Sequence, residues 1–309
     1  MKILSKPKGN AEEYGRWSVN PVIGCPHGCE YCYLKKGVWK NTLGGNEPTF
    51  KTGIVNKDHA FHLFAAEIIE HKEEIISDGG LFMSFVTDPM CEQNRTLFWG
   101  YIACATAIGI PVTILTKSVN IWNNFRYKCV AGEPSYPHYN VGMEERKRLT
   151  AFGWTLTGHD ELEPKAPTNE ARLRDMEIVS RDGFKTWASI EPVIDFKSSL
   201  EMIAKAVDVG CQHFKIGLLT ENTRVCRKKF DVIECMSFIT DVLTLTNGKA
   251  TVYWKQSVRD LLGTVYSIAA VDEILDQPNA VGKDWNMFDA SRQSRHNSHY
   301  FRKPREPKK

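Results

Sequence analysis

Short apolar runs alternate with longer amphipathic ones through most of this chain. Over residues 59–77, Phe61, Phe64, Ala65, Ile68, Ile69, Ile75 and Ile76 recur at helical spacing. Asp78-Gly79-Gly80 ends that helix. Residues 81–87 read as a buried strand stopped by Asp88-Pro89. The same reasoning predicts helices over 95–108, 169–182, 198–209 and 230–245. It predicts strands over 112–116, 154–157, 186–190, 213–217 and 252–255, with Gly109-Ile-Pro111 and Gly210 as punctuation. Strands and helices in such regular alternation indicate an α/β fold with a parallel sheet and outer helices. An open doubly wound sheet and a full or partial (β/α) barrel both satisfy the pattern.

No internal repeat is visible. Residues 127–148, with Gly132, Pro134, Pro137 and Gly142, break the alternation. They read as an insertion or lid, or as a long surface loop. Residues 281–309 read as an appendage outside the barrel.

Composition adds mainly exclusions. A chain of 309 residues can bury a large core in one barrel domain. No apolar run is long enough to span a bilayer, so no membrane association is expected. The N-terminus lacks the apolar stretch of a signal peptide, and the expected compartment is the cytoplasm. The net charge of +3 is too small to name a partner, but its distribution is uneven. In the tail, Arg292, Arg295, Arg302, Lys303, Arg305, Lys308 and Lys309 face only Glu306. Such a tail suits phosphate contacts, or is simply a solvated chain end.

The densest chemistry lies in Asn20-Pro-Val-Ile-Gly-Cys-Pro-His-Gly-Cys-Glu-Tyr-Cys-Tyr33. Thiolates are soft ligands, and three on one short loop suit three corners of a [4Fe-4S] cluster. One iron is then left open for a small molecule. A structural zinc site normally closes with four ligands in two pairs, and no second Cys-x2-Cys follows. His27 lies between Cys25 and Cys29, where closing a tetrahedron is cramped. A total of nine cysteines, an odd number, argues against a disulfide framework. Cys104 and Cys235 lie on apolar helical stretches and read as core residues. The spacing of Cys211, Cys226 and Cys235 is too loose for a second cluster.

In this context the cysteine segment resembles the radical S-adenosylmethionine (SAM) superfamily. More narrowly it is similar to the spore photoproduct lyase-like group and to phage-type relatives of unknown function. Thr87-Asp88-Pro89, Ile114-Leu-Thr-Lys-Ser118 and Ser189-Ile-Glu-Pro192 also resemble that group, in the same order. The resemblance covers residues 17–255. It implies a partial (β/α)6 TIM-type barrel over 17–257, with an N-terminal extension over 1–16 and a C-terminal appendage over 258–309. The chemistry would sit at the C-terminal ends of the strands. It further implies a cluster held by Cys25, Cys29 and Cys32. SAM would be cleaved there to a 5′-deoxyadenosyl radical, with an electron donor such as flavodoxin or ferredoxin.

By the same resemblance, Tyr31 meets the adenine. Thr87 and Asp88 replace the Gly-Gly-Glu that binds the SAM ammonium in other members. Lys117 meets the carboxylate, and Thr157, or Thr155 in the other register, meets the ribose or carboxylate. Glu191 contacts ribose or substrate, and Gln256 lines the substrate side. Each has a plainer reading: packing for Tyr31, a turn or cap for Asp88, a surface group for Lys117, an ion pair for Glu191. The group's namesake carries a hydrogen-donor cysteine just before its Thr/Ser-Asp-Pro stretch; here that place holds Phe85. Cys91 follows the motif instead and is either a radical donor or a core residue. The resemblance therefore extends to SAM chemistry and not to DNA-lesion repair. The expected substrate is a nucleic acid or nucleotide. The alternatives are peptide or protein modification, and a zinc-stabilised nucleic-acid-binding module without catalysis.

Overall fold

The computed structural model describes residues 2–35, 40–122, 142–219 and 230–288. Most of the expected insertion and the basic tail lie outside these residues.

The strands are β1 (Leu4–Ser5), β2 (Trp17–Val19), β3 (Val22–Ile23), β4 (Thr49–Phe50), β5 (Leu81–Met83), β6 (Val112–Thr116), β7 (Thr150–Thr155), β8 (Lys185–Val193), β9 (His213–Leu218) and β10 (Thr251–Trp254). Eight form one sheet in the order β1-β2-β5-β6-β7-β8-β9-β10, while β3 and β4 pair separately. From β2 to β10 every neighbour is parallel, and only β1 runs antiparallel. The expected α/β class is therefore present. The parallel strands exceed the expected six by one, and β1 and β10 are edges that do not pair with each other. Ala280 bridges the free side of β10, opposite Val252.

The helices are α1 (Lys57–Glu70), α2 (Lys72–Ser77), α3 (Glu92–Ala107), α4 (Met143–Arg148), α5 (Asn169–Arg181), α6 (Phe196–Asp208), α7 (Val232–Thr246), α8 (Gln256–Leu262) and α9 (Ile268–Leu275). Several start on side-chain caps. Asn56 accepts from the His59 N–H, Thr168 from Ala171 and Asp195 from Ser198.

The period-two pattern of the strands divides the core in two. Ile114, Phe152, Trp154, Ile190, Phe214, Ile216 and Trp254 belong to one large cluster with the helices. The residues alternating with them face the other way. Register places Thr155 beside Ser189, Ser189 beside Lys215 and Lys215 beside Tyr253. That inner row is polar. Below it lies a small apolar cluster of Phe82, Ala151, Trp187 and Met287, with Tyr14, Phe85, Leu115, Trp285 and Phe288 packed on it.

Three sequence expectations are corrected here. The helix over 59–77 is two helices, divided at His71. The strand over 81–87 ends at Met83, because residues 84–86 bond to the cysteine segment instead of the sheet. The Asn20 carboxamide accepts from the Ser84 hydroxyl and the Phe85 N–H, both at 2.9 Å, and Val86 O accepts from the Gly24 N–H. The strand placed at 154–157 is β7, which begins four residues earlier and leaves Thr157 beyond its end. In addition, residues 281–288 are not outside the barrel, since Met287 is buried in the inner cluster.

Gly153 interrupts the apolar run of β7 for a steric reason. A Cβ there would lie 2.1 Å from Cε2 of Trp187, whose indole crosses the strand. Gly153→Ala is expected to destabilise the fold by about 1–3 kcal/mol through overpacking. Urea unfolding of the variant beside the wild type measures this, and an unchanged midpoint would contradict the packing.

Candidate functional site

The cysteine loop leaves β3 through Gly24, whose φ of +88° suits glycine. A Cβ on Gly24 would lie 2.4 Å from Glu47 O. Backbone bonds fix the loop at several points: Gly24 N–H to Val86 O at 3.0 Å, Cys25 N–H to Gly45 O at 2.9 Å, and Glu30 N–H to Leu162 O at 2.9 Å. Cys29 is buried, Cys25 and Cys32 are half-buried, and all three are free thiols. Burial pushes the Cys25 thiol up to about 12, with Asp88 adding to the effect. Burial also raises Cys29, against the pull of Lys117. Loading a metal group would therefore release protons.

Among the described residues, no three His, Cys, Asp or Glu side chains converge as they would around a single ion. Three free thiols on one anchored loop nonetheless match the donor set of an iron–sulfur cluster, which spreads its ligands around a cube.

Asp88 fastens the loop to the strand ends. Its carboxylate accepts from His27 Nε2 at 2.7 Å, Thr116 Oγ1 at 2.7 Å, and the Met90 and Lys117 N–H groups at 2.8 Å each. Burial works against its charge. His27, with these other donors, still holds the carboxyl well below the usual range. These four donors fill the acceptor sites of a carboxylate. Asp88 is thus a loop anchor, and the expected ammonium contact finds no free acceptor in this arrangement. Thr87 supports it, with its hydroxyl donating to Gly24 O at 2.5 Å and accepting from Asn94 Nδ2 at 2.9 Å. His27, the candidate fourth zinc ligand, has Nε2 committed to Asp88.

Lys117 lies just past β6. The turn after it is held from two helices: Arg95 of α3 donates to Val119 O at 3.1 Å, while Asp175 of α5 accepts from the Asn120 and Ile121 N–H groups. The Lys117 ammonium stands 5.4 Å from the Tyr31 ring centroid and 3.8 Å from Glu163 Oε1. The Tyr31 hydroxyl donates to Glu163, and Arg172 pairs with the other carboxylate oxygen. Arg172 also donates to Thr155 O at 2.8 Å and Pro167 O at 2.9 Å. Sequence reasoning missed Glu163 and Arg172. No motif marks them, and Tyr31 reaches Glu163 only across the folded chain.

Thr155 closes β7 in the same region. Thr157 is fully buried, with its hydroxyl accepting from the His159 N–H at 3.2 Å and its own N–H bound to Asn169 Oδ1. It therefore serves the turn before α5. Glu191 lies within β8, not at its end, and faces the lumen. It accepts from Lys255 Nζ at 2.6 Å and from the Tyr14 hydroxyl, which also bonds Ser189 Oγ at 2.9 Å. The Tyr33 side chain beside the third cysteine is exposed, and its hydroxyl donates to Phe85 O. Lys215 is caught in the lumen between Tyr14, Trp187 and Tyr253, and donates to Glu13 O at 2.6 Å. Cys91 is buried at the start of α3 as a free thiol, raised to about 12 by burial. Gln256 points its amide at Asp260 on the surface, away from this group.

No family model and no curated protein matches the chain. Solved structures do. SuiB of Streptococcus suis bound to S-adenosylmethionine superposes with a TM-score of 0.51 at 12% identity, over 83% of this chain and 54% of SuiB. The likeness is one of fold. A second SuiB structure gives a TM-score of 0.48 at 12% identity, over 79% of this chain and 50% of SuiB. This chain thus spans about half the length of SuiB.

Asp175, which supports the Lys117 turn, gives a pH signature. Burial raises its carboxyl to about 6 despite two backbone donors. Between about pH 4 and pH 6 the folded chain keeps a proton that the unfolded chain has released, so unfolding free energy falls as pH rises. Asp175→Asn is expected to flatten that slope. Chemical unfolding of both proteins across this range measures it, and parallel pH profiles would contradict the assignment.

Proposed function

We propose that this chain is a radical SAM enzyme with one [4Fe-4S] cluster held by Cys25, Cys29 and Cys32. One observation carries the reading. Three free thiols share an anchored loop at the C-terminal end of a mostly parallel sheet, the end at which Lys117, Tyr31, Thr155 and Glu191 also stand. When bound, such a cluster supplies the electron that splits SAM into methionine and a 5′-deoxyadenosyl radical. A reductant such as flavodoxin or ferredoxin would provide that electron.

The chain's own residues do the rest. Asp88, Thr87 and Asn20 hold the loop against the strand ends. The Lys117 ammonium meets the SAM carboxylate, and the Tyr31 ring lies beneath it for the adenine. Thr155 and Glu191 face the ribose and substrate side. Tyr14, Trp187 and Phe82 fill the lumen below and keep water from that end. Cys91 is too deeply enclosed to reach a substrate without movement of the start of α3. The proposed substrate is a nucleic acid or nucleotide, supported by the tail's cations and the interleaved His296, His299, Tyr300 and Phe301.

Anaerobic reconstitution is expected to give a brown protein with about four irons and four sulfides per chain. With dithionite and SAM it should form 5′-deoxyadenosine. Cys29→Ala is expected to lose the cluster and that product together. A colourless protein with one zinc, or full turnover in Cys29→Ala, would refute the proposal.

The substrate has its own test. Removing residues 289–309 is expected to weaken binding to a single-stranded oligonucleotide by about tenfold at low salt and to flatten its salt dependence. Fluorescence anisotropy measures both. Equal binding by the shortened chain would exclude the tail as a nucleic-acid contact.

A further inference from the structure

The group around Lys117 contains a charge imbalance that the fold maintains. Glu163 is 1% exposed and Arg172 0%, so their ion pair is made out of water's reach. The guanidinium of Arg172 bonds inward: once to Glu163 and once each to the carbonyls of Thr155 and Pro167. The carboxylate of Glu163 is divided. One oxygen takes Arg172, and the other takes the Tyr31 hydroxyl with Lys117 at 3.8 Å. That separation is an ionic contact and not a hydrogen bond. Among the described residues, the Lys117 ammonium donates no hydrogen bond, although only 16% of its side chain is exposed. One carboxylate thus faces two cations. Arg172 is spent on the protein, and the surplus positive charge rests on Lys117 with its three donors unused.

An enclosed ammonium in that state is a receptor for a carboxylate. Its direction is set by Glu163 on one side and the Tyr31 ring beneath it. Glu163 holds both groups from one carboxylate, so the ammonium and the aromatic face keep a fixed relation. Arg172 in turn fixes Glu163 and ties it to the end of β7.

We infer that Glu163, braced by Arg172, is the positioning residue that aims Lys117 and Tyr31 at the carboxylate and adenine of SAM. The inference rests on the proposed radical SAM reading. Glu163 touches neither SAM nor cluster in this scheme. Its effect passes through Lys117 and Tyr31, and that route is measurable.

The test is SAM affinity of the reconstituted protein by equilibrium dialysis, with iron content and circular dichroism as controls. Glu163→Gln keeps the shape and removes the charge. It is expected to weaken SAM about tenfold with iron content unchanged. Lys117→Met is expected to weaken SAM by about the same factor. The double variant should be weaker than Lys117→Met alone by clearly less than that factor, because the route through Lys117 is cut twice and only the route through Tyr31 adds to the loss. Penalties that multiply to about a hundredfold, or a Glu163→Gln protein that binds like the wild type, would overturn the inference and leave the functional reading intact. A wild-type protein that carries its irons yet binds no SAM would overturn both. Should Glu163→Gln not fold, Tyr31→Phe takes its place, since it removes a donor from the same carboxylate and spares the Arg172 pair. A loss of about threefold that shrinks in the Lys117→Met background supports the inference. A loss undiminished there overturns it.

Discussion

Three stretches of chain meet at the Asp88 carboxylate. His27 brings the cysteine loop, Thr116 and Lys117 bring the end of β6, and Met90 brings the approach to α3. Hydrogen bonds to a charged group are each worth about 1.5–3 kcal/mol, more than neutral ones. A buried carboxylate without such partners would not remain ionised. The cost of burying this charge is therefore offset only when all three stretches are in place. Loop position and strand ends become one cooperative fact, and the loop's thiols inherit the rigidity of the sheet.

The sheet contributes in a second way. Alternation along each strand sends most of its apolar side chains outward to the helices and leaves the upper part of the inner face to Thr155, Ser189, Glu191, Lys215 and Tyr253. Polar groups in the lumen are tolerated because they satisfy one another. Lys255 bonds Glu191, Tyr14 reaches both Ser189 and Glu191, and Lys215 finds the carbonyl of Glu13. The Glu163–Arg172 pair obeys the same rule at the strand ends. Removing one partner from such a pair typically costs about 3–5 kcal/mol, because the remaining charge stays buried.

How much of this is legible in the sequence depends on range. Strand β6 and the body of each long helix are local patterns, and the expected boundaries fall on or near the observed ones. The cysteine loop is local too. Errors arise where a distant segment competes for the backbone. Residues 84–87 resemble a strand until Asn20 and Gly24 take their hydrogen bonds. The start of β7 is hidden by Gly153, a break in pattern whose cause is the indole of Trp187. Glu163 and Arg172 carry no signature at all, since a charged residue in a turn and another on a helix look like surface until the fold joins them. Asp88 stands out in its motif, but its hydrogen bonds assign it to the scaffold.

By sequence the first sixteen residues read as an extension that precedes the barrel. Yet the Tyr14 side chain is the plug of the barrel, and its neighbouring carbonyls are what a lysine deep in the lumen leans on. The chamber is therefore closed below jointly by this segment and by Trp187 and Phe82 of the strands. A substitution at Tyr14 would thus alter the floor of the lumen while leaving every strand residue in place.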